Sequence, residues 1–225
     1  MDIILIAGLW LDASVWADVD RALARHGHRG VAVALPGQGD GNTSATLADQ
    51  LAAVVTAIDE ADPNPLVVGH SAACTLAWLA ADARPDAVSK VALIGGFPEA
   101  EGGRYADFFE PVDGQMSFPG WEPFEGPDSA DLDDATKRLI AESMIPVPVG
   151  VSRAEVHYQG ETPAPPTLLV CPEFTPEQAR EWIAAGDAPA LAGADLDYVN
   201  LDSGHWPMFT RPDELAAILA DAAGA

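Results

Sequence analysis

Short, unbroken apolar runs recur along this chain, and stretches with helical spacing separate them. The runs fall at residues 3–7, 31–35, 66–68, 91–94, 167–170 and 198–201. Between the second and third, Leu47, Leu51, Val54, Val55 and Ile58 recur at three and four residues and make one helical stripe. A strand that is apolar on both faces must be covered on both faces, and strands joined through helices run parallel. The pattern therefore predicts an α/β fold, a mostly parallel sheet of about six strands with helices on both sides. With 225 residues, 48% of them hydrophobic, the chain is expected to build one domain over 1–225 around one sizeable core.

One interval breaks the rhythm. Residues 98–166 hold no strand-like run and shift to Gly, Pro, Glu and aromatics, with Phe108, Phe109, Met116, Phe118, Trp121 and Phe124 in the first half. Residues 131–144 then read as one helix with Leu132, Ala135, Leu139, Ile140 and Ser143 on a face. So many aromatics argue against disorder, and the interval is expected to be a cap over the strand ends.

Charge excludes some partners. The formal net charge is −24, from 35 acidic and 11 basic side chains, which repels phosphate backbones and anionic lipids. Neither nucleic acid nor a membrane surface is expected as a partner; a small molecule is, and the oligomeric state stays open. The opening apolar run is too short for a membrane span and lacks the basic start of a signal peptide, so the expected location is cytoplasmic. The two cysteines, Cys74 and Cys171, sit inside apolar runs and read as small buried hydrophobes, with no disulfide and no metal site.

The third apolar run leads into Gly69-His70-Ser71-Ala72-Ala73 and then a wholly apolar helix, with no loop between. Gly-x-Ser-x-small at a strand-to-helix junction is the nucleophile elbow. The serine occupies a strained turn, and its neighbours two residues either side pack so closely that only small residues fit. The helix N-terminus would aim amides and positive dipole at a developing oxyanion. This makes Ser71 the candidate nucleophile. Of the five histidines, His26 and His28 fall in a helix-to-strand turn, His157 in the interrupted interval, and His70 beside the serine but turned away from its side chain. His205 follows the last apolar run, just before the final helix, where a base can reach the serine from the carboxyl edge of the sheet. The first run ends in Ala7-Gly8-Leu9-Trp10, and a turn at Gly8 would face the Leu9 N–H toward the site beside that of Ala72, giving two oxyanion donors. Trp10, His70, Phe108, Phe109, Trp121 and Trp206 are candidate walls of a substrate pocket.

With the elbow, the Gly204-His205-Trp206-Pro207 segment and the Ala7-Gly8 loop, the chain resembles the α/β-hydrolase superfamily over nearly its whole length. Within it, the sequence is most similar to the small branch of methylesterases and hydroxynitrile lyases. Trp10 and Trp16, Leu35-Pro36-Gly37-Gln38-Gly39 and Val170-Cys171-Pro172-Glu173 carry that likeness. The resemblance implies a six-stranded sheet, a cap after the fourth strand and no cofactor. Two departures stand out. The family usually opens its oxyanion loop with His-Gly, where this chain has Ala7-Gly8. Its acid usually lies several residues beyond the fifth strand, where this chain has Phe174 or Thr175. Thr175-Pro176-Glu177-Gln178 reads instead as a helix start. The acid can then be Glu173, reaching from a shortened loop, or Glu99 after the preceding strand, or absent, leaving a Ser-His dyad. Asp202 is a further candidate, better suited to ending a strand.

The expected function is hydrolysis of a small, mostly apolar carboxylic ester, thioester or lactone through an acyl-enzyme on Ser71. The alternatives are a cofactor-free lyase or C–C hydrolase on the same site, and a catalytically silent ligand-binding protein on this fold.

Overall fold

The computed structural model describes residues 1–160 and 165–224, so residues 161–164 of the interval read as a cap lie outside the described residues. The chain alternates strand and helix: β1 (Asp2–Ile6), α1 (Ala17–Arg25), β2 (Arg29–Ala32), α2 (Leu47–Glu60), β3 (Leu66–His70), α3 (Ala73–Ala83) and β4 (Lys90–Ile94). An insertion follows, holding β5 (Gln115–Met116), α4 (Asp134–Ser143), β6 (Val147–Pro148) and the single turn α5 (Val149–Ser152). The chain then rejoins the sheet as β7 (Thr167–Cys171), α6 (Pro176–Ala185), β8 (Leu196–Asn200), α7 (Pro207–Thr210) and α8 (Pro212–Gly224).

The six strands lie in the order β2-β1-β3-β4-β7-β8, and each neighbouring pair is parallel. Alternate residues of β1 serve opposite cores. Ile4 and Ile6 pack with α2 and α3, while Ile3 and Leu5 pack with α1 and α8. The chain moves to one side of β1 to form β2, then crosses to the other side to form β3. Loops leaving β1 and β3 therefore diverge, and a crevice opens at the carboxyl ends of these two strands.

Two helices begin at capping boxes, whereas the helix expected over 131–144 starts only at Asp134. Thr46 and Asp49 form a reciprocal capping box at α2, and Thr175 and Gln178 form another at α6, with Pro176 in the first turn. Three further expectations need correction. The apolar run 31–35 is strand only up to Ala32; Val33 and Leu35 are buried as irregular chain over the sheet edge. The insertion does contain strand, since β5 and β6 pair antiparallel, each too short to leave a periodic trace. On α4 the buried positions are Leu132 (just before the helix) and Ile140, with Thr136 and Met144 half-buried, a spacing of four. Leu139, assigned to that face, is 68% exposed, and Ala135 and Ser143 also face out.

Candidate active site

The crevice predicted by the strand order is where the elbow sits. Ser71 has φ +56°, the left-handed region, held by its N–H donating to Ile94 O at 2.8 Å and its carbonyl accepting from Cys74 N–H at 2.9 Å. Gly69 lies so close to Ala73 that a Cβ there would collide with the Ala73 carbonyl. Gly8 is needed for approach as much as for turning. Its added Cβ would stand 2.9 Å from His70 Nδ1 and 3.1 Å from Ser71 Cβ. The loop after β1 thus lies directly on the elbow, and Trp10 within it takes φ +62°. Leu9 and Ala72 line the same cavity as Ser71, and among the described residues neither N–H donates to a backbone acceptor outside the regular elements.

That cavity, of about 370 Å³, is walled by Trp10, Phe97, Phe108, Phe109, Phe124 and Trp206, with His70, Ser71 and His205 at its base. The insertion supplies Phe108, Phe109, Pro123, Phe124 and Asp128. Aromatic edges hold the walls together: Trp10 meets Phe118 at 5.4 Å and Phe124 at 6.0 Å, and Phe124 meets Trp206 at 5.4 Å. The Trp10 indole N–H donates to Met116 O at 3.1 Å, pinning the β1 loop to the insertion. Trp121 does not reach the cavity as expected. It stands behind Trp206 at 5.1 Å, its N–H is taken by Lys137 O, and the Lys137 ammonium lies 5.7 Å over its ring.

His205 and Glu173 are brought together. His205 Nδ1 lies 2.7 Å from Glu173 Oε1, both side chains nearly buried. The loop between β7 and α6 is four residues, and the glutamate side chain reaches His205 from it. With a carboxylate on one side, the ring carries its proton on Nδ1 and leaves Nε2 open as an acceptor. The backbone of His205 is fixed from two directions. Its N–H donates to Asp128 O at 2.7 Å, and its carbonyl accepts from His70 Nε2 at 2.7 Å. Glu99 is not brought to His205: its carboxylate accepts from Ala100 N–H and its backbone N–H is held by Thr75 Oγ1. Asp202 is exposed. Cys74 and Cys171 are buried and free, and burial pushes both thiols up, that of Cys171 to about 12.

His70 is the buried polar partner of this arrangement. Burial, reinforced by the neighbouring His205 and opposed by the hydrogen bond to its carbonyl, pushes His70 down from 6.5 to about 3. The imidazole stays neutral in the folded protein while the unfolded chain protonates it below about pH 6.5. Its contribution is therefore complete above that pH and is lost as pH falls toward about 3. Two pH units below 6.5, the loss amounts to roughly 2–3 kcal/mol. His70→Gln, whose amide can still donate to the His205 carbonyl, is expected to be less stable than wild type at pH 7.5. By pH 4.5 the gap should shrink by that amount, read from urea midpoints; a pH-independent gap would contradict the neutral, buried histidine.

Three residues at the site carried no assignment in the sequence. Gly95, directly after β4, has φ +60°, and a Cβ there would meet Glu173 Oε2 and His205 Nδ1, both at 3.2 Å. Gly96 faces Ser71, where a Cβ would stand 2.8 Å from the Ser71 carbonyl. Asp128 lines the cavity from the insertion. The available signal was the Gly-Gly pair at a strand end. Gly95→Ala both strains the backbone and displaces the Glu173–His205 pair. It is expected to lower kcat/KM on a reporter ester about 10²-fold and stability by about 1–3 kcal/mol. Kinetics and thermal melting check this, and a value of kcat/KM within twofold of wild type would refute it.

Among the described residues, no group of three or more His, Cys, Asp or Glu is placed to hold a metal ion, and no helix is long and apolar enough to cross a membrane. Solved structures share the architecture. An extracellular alpha/beta-hydrolase from a Paenibacillus species, described as sharing structural and functional homology with tobacco salicylic acid binding protein 2, matches at 18% identity. It covers 100% of both chains with a TM-score of 0.83. A pyrethroid hydrolase from Sphingobium faniae JZ-2 matches at 20% identity over 100% of this chain and 98% of its own, TM-score 0.70. A tomato methylketone synthase I variant matches at 13% identity over 99% and 97%, TM-score 0.71. A comparison with curated protein sequences gives no match. The sequence model of the family described as "Alpha/beta hydrolase family" matches residues 3–218, nearly the whole chain, and the protein belongs to that family.

Proposed function

We propose that the protein is a serine hydrolase of small, mostly apolar carboxylic esters, thioesters or lactones, with Ser71, His205 and Glu173 as its catalytic residues. Membership of the alpha/beta hydrolase family supports a hydrolase, and one observation carries the finer reading. Glu173 sits on the Nδ1 of His205, and His205 lines the same pocket as a serine held at φ +56°. A buried carboxylate on that nitrogen fixes the tautomer whose Nε2 can accept a proton. Ser71 Oγ attacks the substrate carbonyl carbon, and His205 Nε2 takes its proton. The oxygen of the tetrahedral intermediate accepts from the Leu9 and Ala72 N–H groups. Collapse expels the alcohol or thiol, which takes the proton from the imidazolium. Water then attacks the acyl-Ser71 ester with His205 as base, releasing the acid.

The aromatic insertion acts as the cap: it contributes Phe108, Phe109 and Phe124 to the walls, which favours an apolar group beside the scissile bond. Lyase chemistry would be favoured by a lysine or other charged group over the serine; Lys137 lies instead over Trp121, and Asp128 is the one carboxylate among the lining residues. A silent binding protein has no use for a carboxylate-oriented histidine beside a strained serine. The test is labelling with a fluorophosphonate probe and mapping the adduct by mass spectrometry. An adduct on Ser71 is expected. No adduct on folded protein, with the cavity open to a small apolar ligand, would overturn the proposal.

A further inference from the structure

The cavity has a charge character that its aromatic walls conceal. Its lining contains one carboxylate, Asp128, and no lysine or arginine. Burial pushes the Asp128 carboxyl up from the usual range, with the charge of His205 opposing and that of Glu173 adding, and among the described residues no side chain or backbone N–H donates to it. It is thus an unengaged acceptor on a residue that lines the ligand space. Two basic side chains of the insertion are committed elsewhere. Arg153, which also donates to Phe109 O, pairs with Asp107 and Glu110, and Lys137 lies over Trp121. Among the described residues that line the cavity, no lysine or arginine offsets the field of a chain with 35 acidic against 11 basic residues.

An anion brought into this pocket loses its water and meets no lysine or arginine in return. A quaternary or protonated amine finds what it needs: ring faces for cation–π contact and a carboxylate at one end. The protein-wide field also concentrates cations near the entrance. On the hydrolase reading above, we infer that the site selects esters by charge. It prefers a substrate carrying an alkylammonium group, accepts neutral isosteres and rejects anionic ones, with Asp128 as the residue that discriminates. The same repulsion would help expel the carboxylate product.

The experiment uses three aryl acetates: phenyl acetate carrying a para trimethylammonio, tert-butyl or carboxylate group. The first two substituents are nearly isosteric and differ in charge. We would measure kcat/KM at pH 8 for wild type and Asp128→Asn, which retains the backbone carbonyl that holds His205. Dividing variant by wild type for each ester cancels intrinsic leaving-group differences. Relative to the tert-butyl ester, the cationic ester should lose about tenfold in the variant, and the anionic ester should gain. Turnover of the tert-butyl ester with the same ratio in both proteins would overturn the charge selection and leave the hydrolase reading intact. Absence of turnover for all three, together with a wild type that fluorophosphonate does not label, would overturn both.

Discussion

Ser71→Ala is expected to lower kcat on any ester substrate by about 10⁶-fold and to abolish fluorophosphonate labelling while leaving the fold intact. The size follows from the role assigned to the hydroxyl. Removing the nucleophile of a serine enzyme costs about as much as removing the whole triad, and what remains comes from the oxyanion donors and substrate binding. Those parts survive the substitution. Leu9 and Ala72 are held by backbone geometry, and the walls of the cavity do not depend on the serine side chain. Alanine tolerates φ +56° no worse than serine does, so a circular dichroism spectrum and melting temperature close to wild type should accompany the loss. A variant that retained more than a hundredth of wild-type kcat would show that Ser71 is not the nucleophile.

The second large effect belongs to Glu173. Glu173→Gln keeps the length of the side chain and removes its charge. The amide can turn its NH₂ toward His205 Nδ1, which then has to accept, and the ring proton moves to Nε2. That nitrogen can no longer take the proton of Ser71. In a serine protease the equivalent change lowers kcat about 10⁴-fold with the geometry intact, and a drop of about that size is expected here. Glu99→Gln is the control: that carboxylate serves the Ala100 N–H, and its loss should move kcat less than about threefold. Equal effects at the two glutamates would remove Glu173 from the mechanism.

The two acids also show what a sequence can and cannot reveal. Ser71 was legible because the elbow is local. A glycine, a small residue two positions on and an apolar helix start are fixed by steric contacts within five residues. The placement of His205 beside the elbow was legible from chain order and from its position after the last strand. Glu173 could be offered only beside Glu99, because the choice depends on how far a side chain reaches across two strands. The shortened loop was visible in Thr175-Pro176-Glu177-Gln178, but the meeting with His205 is tertiary. Gly95 and Asp128 are further removed. One makes room for a pair contributed by β7 and β8, and the other arrives from a segment with no periodic pattern. The same limit explains α4, where several registers of Leu, Ile and Ala fit a helical wheel. Only packing against Trp121, Phe124 and Trp206 selects Leu132 and Ile140 over Leu139.

The hydrogen bond from the His205 amide to the Asp128 carbonyl bears on how such an enzyme can be diversified. Gly204 has no side chain where Asp128 and Asp131 press against it, so the segment that shapes the pocket also grips the loop bearing the proposed base. Exchanging the insertion for that of another family member would replace the walls and loosen the histidine in one step. Productive chimaeras would need to carry residues 126–131 and 203–206 as one inherited block. Directed evolution of this scaffold should accordingly accumulate specificity changes at Phe108 and Phe109, which touch the ligand space without touching the base.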